Sequence, residues 1–246
     1  AVAWQVADDA NNDGVPNSGA NLSDNAVLPR FGFEVPAETV TVTHTLVAPA
    51  GGAAGSVTGG VFSGFTAGAR TNAMTWDEVG SIALNAALTS GNYLGTGGNA
   101  TGSVSPVGRF KPDHFIVTPG TLTNRQALGC AASIFTYEGE ELRVTFMLTA
   151  RNGLATPAPT TNYTTANSFA KLDGTVAANF GFGAVDLADV TPPVGATALT
   201  SRLALGTSSG TWVGGIGSFT ADLAVSRAAS ADGPFESFRL GVLPAD

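Results

Sequence analysis

Asp9, Asn11 and Asp13 alternate along the chain, and Gly14 follows them. Calcium takes about six to eight oxygen ligands, so oxygen-bearing side chains at every second position before a sharp glycine turn are what opens a calcium loop. Val15 can add its carbonyl and Asn17 another oxygen, with Asp8 and Asp24 nearby. Ala20, however, stands where an EF-hand has its bidentate glutamate. The same residues favour an Asx-rich surface turn between strands. The segment therefore carries two readings, structural calcium held by Asp9, Asn11 and Asp13, or a plain turn.

Aromatic residues beside acids suggest sugar chemistry. Trp76 precedes Asp77 and Glu78, Tyr93 sits in a Gly-rich stretch, and Trp212 lies between glycine-flanked neighbours. Trp76 and Tyr93 are candidate ligand-binding residues on this ground, although a lone aromatic equally serves a core. A glycosidase holds two carboxylates roughly 5 to 9.5 Å apart in a cleft. Glu138, Glu140 and Glu141 instead surround Gly139 in what reads as a solvated hairpin turn, and Asp186 and Asp189 form the remaining acidic pair.

Asp113 next to His114 invites a hydrolytic reading with Ser133 or Cys130 as nucleophile. Neighbours on a strand point to opposite faces, so the expectation is that Asp113 does not orient His114 and that both fix a corner between domains. No Gly-x-Ser-x-Gly elbow occurs. His44 falls on the apolar face of its segment, where a hydrogen-bonded core histidine is expected. Two histidines and one cysteine are too few for a zinc site. Cys130 has only Gly129, Ala131 and Ala132 around it and reads as a buried thiol, or one bonded to a cysteine outside this chain. An intramolecular Lys–Asn crosslink has only Lys111 and Lys171 to draw on. The expectation is a protein that is not an enzyme.

These residues must be positioned by strands. The chain has 246 residues, of which 32 are glycine, 13 proline and only 12% charged, while 43% are hydrophobic. Strong helix formers are scarce, and the apolar content argues against disorder. A net charge of −8 disfavours nucleic acid, which calls for a clustered basic patch. No run of about 18 apolar residues is present to cross a bilayer as a helix. Ala1–Trp4 lacks the regions of a signal peptide and reads as a strand entered midway, so an export signal is expected upstream.

Period-two alternation marks several strands: Val40 to Leu46, Ile82 to Leu88, Leu142 to Ala150, Phe219 to Arg227 and Phe238 to Val242. Turn-rich stretches separate them at 49–60, 90–102, 152–162 and 231–234, and a short helix is possible over 186–190. The fold class expected is all-β, two consecutive antiparallel β-sandwich domains of immunoglobulin-like character. The division is placed near Ser103–Gly108, giving domains 1–107 and 108–246.

One set of residues carries a family resemblance. Gly108-Arg109-Phe110, Pro112-Asp113-His114-Phe115, Phe135-Thr136-Tyr137, Ala150-Arg151-Asn152 and Thr161-Asn162-Tyr163 follow in order. Trp76-Asp77-Glu78-Val79-Gly80 and Tyr93-Leu94-Gly95 precede them, and Phe238-Arg239-Leu240-Gly241-Val242 comes after. That succession resembles the MshQ-like proteins, large surface proteins encoded beside the mannose-sensitive haemagglutinin type IV pilus. The resemblance implies an extracellular or cell-surface place, with pilus or surface-assembly components as partners. Its functional expectation is a non-enzymatic module for attachment or display. The alternatives are a fibre subunit that exchanges strands with neighbouring subunits, through a segment such as Ala1–Val6, and a carbohydrate-binding module. Long neutral loops at 48–60 and 90–102 carry two readings, flexible connectors on account of their glycine content, or recognition sites.

Overall fold

The computed structural model describes residues 17, 19–21, 24–95, 97–124, 135–187, 196–230, 232–244 and 246. The chain divides into two compact units. The first comprises Ala1–Ala48, Ala54–Asp77 and Ser81–Arg109, and the second Pro49–Ala53, Glu78–Gly80 and Phe110–Asp246. All described strand pairs are antiparallel, and none of the described residues forms a helix long and apolar enough to cross a membrane.

In the first unit, β1 (Val40–Ala48) pairs with β3 (Val61–Phe62) and with β5 (Gly80–Leu88), and β6 (Thr101–Phe110) closes a sheet of order β3-β1-β5-β6. A separate ribbon joins β2 (Val57–Thr58) to β4 (Thr75–Trp76). Alternation decides which face is buried. Val40 and Val42 pack on Phe31, Phe62, Phe65 and Leu88, while Thr43 and Thr45 face solvent. Phe31 meets Phe65 edge-on at 4.8 Å between ring centroids. Gly32 makes that approach possible, because its φ is +93° and a Cβ there would lie 2.8 Å from the Phe65 Cβ.

The second unit is a β-sandwich. One sheet has the order β11 (Leu203–Val213), β12 (Ile216–Val225), β8 (Glu141–Arg151), β7 (His114–Thr123). The other has β10 (Thr197–Ala198), β9 (Gly183–Asp186) and β13 (Phe238–Gly241). Their inner faces enclose Leu142, Phe146, Leu148 and Ala150 from β8 and Phe219, Ala221 and Leu223 from β12, the sets that the sequence alternation singles out. Phe180 and Phe182 fill the middle, with Phe146 edge-on to Phe180 at 5.0 Å. Trp212 is fully packed, edge-on to Tyr163 at 4.8 Å, and its indole N–H donates to the Leu172 carbonyl at 2.9 Å.

The segment Ser103–Gly108, where the division was placed, lies inside strand β6, and the first unit ends just after it at Arg109. Among the described residues β6 is an edge strand, the position in a sheet where a proline such as Pro106 is tolerated. Of the possible helix over 186–190, Asp186 ends β9, Leu187 donates its N–H to the Ser237 carbonyl, and 188–190 lie outside the described residues.

Candidate functional site

A trough runs over the outer face of the first unit's sheet. Register sets Thr41 opposite Ala87 and Thr43 opposite Asn85, so threonines on β1 stand beside small residues on β5. Thr101 and Ser103 of β6 form the far wall. The short side chains of the central strand leave a depression of about 710 Å³ lined also by Ala86, Leu88, Thr89 and Gly102. The Thr41 and Thr89 hydroxyls share a hydrogen bond at 2.7 Å, and Thr43 Oγ1 donates to the Asn85 carbonyl at 3.4 Å. The Asn85 carboxamide and the Thr101 and Ser103 hydroxyls make no hydrogen bond among the described residues. The lining carries hydroxyl and amide groups without an ionisable side chain, which suits a neutral ligand able both to donate and to accept.

The aromatics singled out from sequence have other work in the first unit. The Trp76 indole N–H donates to the Ala54 carbonyl at 2.9 Å, and His44 Nε2 lies 2.9 Å from that same oxygen. Both rings thereby hold the chain at Ala54, with Asp77 Oδ1 accepting from the Ser56 N–H at 2.6 Å. Tyr93 stacks on Phe31 at 5.9 Å and its hydroxyl donates to Glu34 Oε1 at 2.9 Å. Partial burial, then the Glu34 hydrogen bond, push the Tyr93 phenol up. Burial opposes ionisation of Glu34, but backbone N–H groups and Tyr93 together hold its carboxyl below the usual value. Leu94 is the residue of this turn that faces out, 64% exposed and at φ 51°.

In the second unit, the resemblance motifs meet at one node. Glu78 is buried, and Oε1 accepts from the Val79 N–H at 2.8 Å and the Asn162 N–H at 3.1 Å. Oε2 accepts from the Thr161 N–H at 2.8 Å and the Thr161 hydroxyl at 2.7 Å. The Asn162 side chain completes the node. Its Nδ2 donates to the Ala53 and Val79 carbonyls, each at 2.9 Å, and its Oδ1 accepts from the Ala53 N–H at 2.7 Å. Gly52 is required there, since a Cβ would sit 2.5 Å from Asn162 Oδ1. Tyr163 follows, wholly buried, its hydroxyl accepting from the Leu172 N–H at 3.0 Å, and burial pushes its phenol well above the ordinary range.

Asp113 and His114 require a correction. Asp113 Oδ2 lies 2.9 Å from His114 Nδ1, so the carboxylate does orient the imidazole. Asp113 precedes β7 at a bend, and strand alternation does not reach it. Both side chains are largely open to solvent. Glu138 is likewise not a free surface acid, because Arg202 Nη2 reaches its Oε1 at 2.6 Å while Nη1 holds Asp232 at 2.7 Å. Sequence reading missed Arg143, whose guanidinium grips buried Asp222 through Nε at 2.7 Å and Nη2 at 2.9 Å, with Thr207 donating to Asp222 Oδ2 at 2.8 Å. The Arg143 hydrogen bonds hold the Asp222 carboxyl below the usual carboxylate range, against the opposing effect of burial.

Asp9, Asn11 and Asp13 lie outside the described residues, as do Cys130 and Ser133. Asp24, offered as a reserve ligand, accepts from Asn21 Nδ2 at 3.1 Å.

A second depression, about 410 Å³, opens on the sandwich of the second unit between edge strands β7 and β13. Val117, Pro119, Leu122, Val144, Phe146 and Leu240 make it mostly apolar. The β7 register shifts between Pro119 and Leu122, so this edge is bulged halfway along.

Residues 78–246 match the family model described as DUF6701, third domain, and residues 1–75 match DUF6701, second domain. No curated protein and no solved structure matches the chain. The third-domain match alone spans well over half of the sequence, and the two matches lie side by side in domain order; the chain belongs to the DUF6701 family.

Proposed function

We propose that this chain is a non-enzymatic module of a bacterial cell-surface or type IV pilus-associated protein, serving attachment or display. The observation that carries the reading is the neutral trough over β5, with Asn85, Thr101 and Ser103 presenting polar groups that no described residue engages. Hydrogen-bonding groups left unengaged in a depression of a sheet are available to a ligand, which supports the reading. The likeness to MshQ-like proteins supports the cell-surface place. Several residues that carry it, Glu78, Val79, Asn162 and Tyr163, build the second unit's interior, so the likeness speaks to shared architecture more than to a shared ligand. Beads coated with the purified chain should adhere to glass, chitin or mucin above beads coated with an unrelated β-sandwich. Equal adhesion on all three would sink the proposal.

A second reading, a fibre subunit that exchanges strands, is supported by the apolar depression between β7 and β13, which are edge strands among the described residues. Pro119 and the bulge after it interrupt β7, leaving only His114–Thr118 regular enough to pair with a donor. Light scattering coupled to size exclusion decides: concentration-dependent oligomers support this reading, and a monodisperse monomer at high concentration removes it.

A further inference from the structure

Resting on the attachment reading above, we infer that the trough over β5 is a subsite for a neutral glycan chain, held by Asn85 and by the hydroxyls of Thr41, Thr43, Thr89, Thr101 and Ser103. The chemistry of the lining selects among ligand classes. A phosphate, sulfate or acidic chain would find no cation in the lining. An apolar ligand would cover the Asn85 carboxamide and the Thr101 and Ser103 hydroxyls without giving them a partner, a desolvation that is not offset.

An extended peptide would add along β6, which borders the sheet among the described residues, but Pro106 lies in the middle of that strand and has no N–H to contribute. A sugar ring meets both requirements of the trough. Its hydroxyls donate and accept as the threonine, serine and asparagine groups do. Its C–H face can lie on Ala87, the small floor residue that register sets opposite Thr41. The trough is open above and has no aromatic in its lining, so each chain binds weakly and useful attachment comes from many copies on a surface.

The test uses the full chain. Amide spectra are recorded during titration with maltotetraose, cellotetraose, xylotetraose and chitotetraose, then repeated on Asn85→Ala and Ala87→Phe. At least one of these sugars should shift amides of β1, β5 and β6 with a Kd of about 1 mM. Asn85→Ala should weaken that binding about tenfold, by loss of its hydrogen bonds. Ala87→Phe should fill the trough and abolish the shifts, while a melting curve unchanged from the parent shows that the sheet is intact. If Ala87→Phe proves unfolded, the Asn85→Ala titration decides alone. The assignment is overturned if no sugar of the panel shifts those amides, or if the folded variants bind as the parent does. In either case bead adhesion distinguishes the two claims. Adhesion retained without a sugar response removes the glycan and leaves the attachment reading, whereas adhesion lost on every surface removes both.

Discussion

Replacing Asn162 by alanine is the most searching perturbation of the second unit. The side chain is 2% exposed and makes three hydrogen bonds, to the Ala53 N–H, the Ala53 carbonyl and the Val79 carbonyl. These losses differ in size. Ala53 is at the surface, so water can replace the amide on both of its groups, and each bond contributes about 0.5 kcal/mol. Val79 is fully buried, and its carbonyl would lose a donor that water cannot readily replace, a loss of about 1 to 3 kcal/mol. Together the substitution should destabilise the unit by about 3 kcal/mol. For a unit of this size that lowers the melting temperature by roughly 6 to 12 °C. Calorimetry of the full chain measures the shift, and amide exchange at Ala53 should accelerate even where the rest of the unit stays folded. A loss below about 1 kcal/mol with Ala53 still protected would refute the reasoning, because the node would then be decoration on a core that holds itself.

Other outcomes follow from the same packing. Tyr93→Ala should lower the stability of the first unit by about 2 kcal/mol through loss of the Phe31 stack and the Glu34 hydrogen bond, while leaving adhesion per folded molecule unchanged. Tyr163→Phe should lower melting by loss of the bond from the Leu172 N–H, about 1 kcal/mol, without altering the aromatic packing seen in near-ultraviolet dichroism. Asp222 makes the second unit acid-sensitive: its folded-state pKa is depressed, so its stabilisation is present above the unfolded value of about 4 and is lost as pH falls through the folded value. Asp222→Asn should therefore lower the melting temperature at neutral pH and flatten its decline below about pH 4; an unchanged decline would show that other carboxylates set it.

The strands were legible because their alternation is clean. Leu142, Phe146 and Leu148 on β8 and Phe219, Ala221 and Leu223 on β12 are the buried faces that period two marks, and the antiparallel all-β class follows from them. Long-range polar contacts left no such trace. Glu78 and Asn162 are 84 positions apart, and nothing local to either says that a carboxylate and an amide will meet. Pro49–Ala53 reads as part of a surface loop because Gly and Ala dominate it, yet the need for a glycine at 52 arises only from Asn162 in space. The trough had a partial signal. Threonines on one face of β1 were visible, but their pairing with Ala87 and Asn85 depends on a register that the sequence does not state. Trp76 drew attention as an aromatic beside acids and Tyr93 as the aromatic of a long loop, whereas here hydrogen bonds and stacking tie both into the first unit's own structure.

Where attachment resides can be measured directly. Beads carrying the parent chain, Ala87→Phe and Trp76→Phe should be compared on the same surfaces at equal amounts of folded protein. Ala87→Phe, which fills the trough, is predicted to lose adhesion. Trp76→Phe, which removes the indole bond to Ala54 at a residue outside the trough lining, is predicted to keep it. Adhesion that survives Ala87→Phe and disappears with Trp76→Phe would contradict the account.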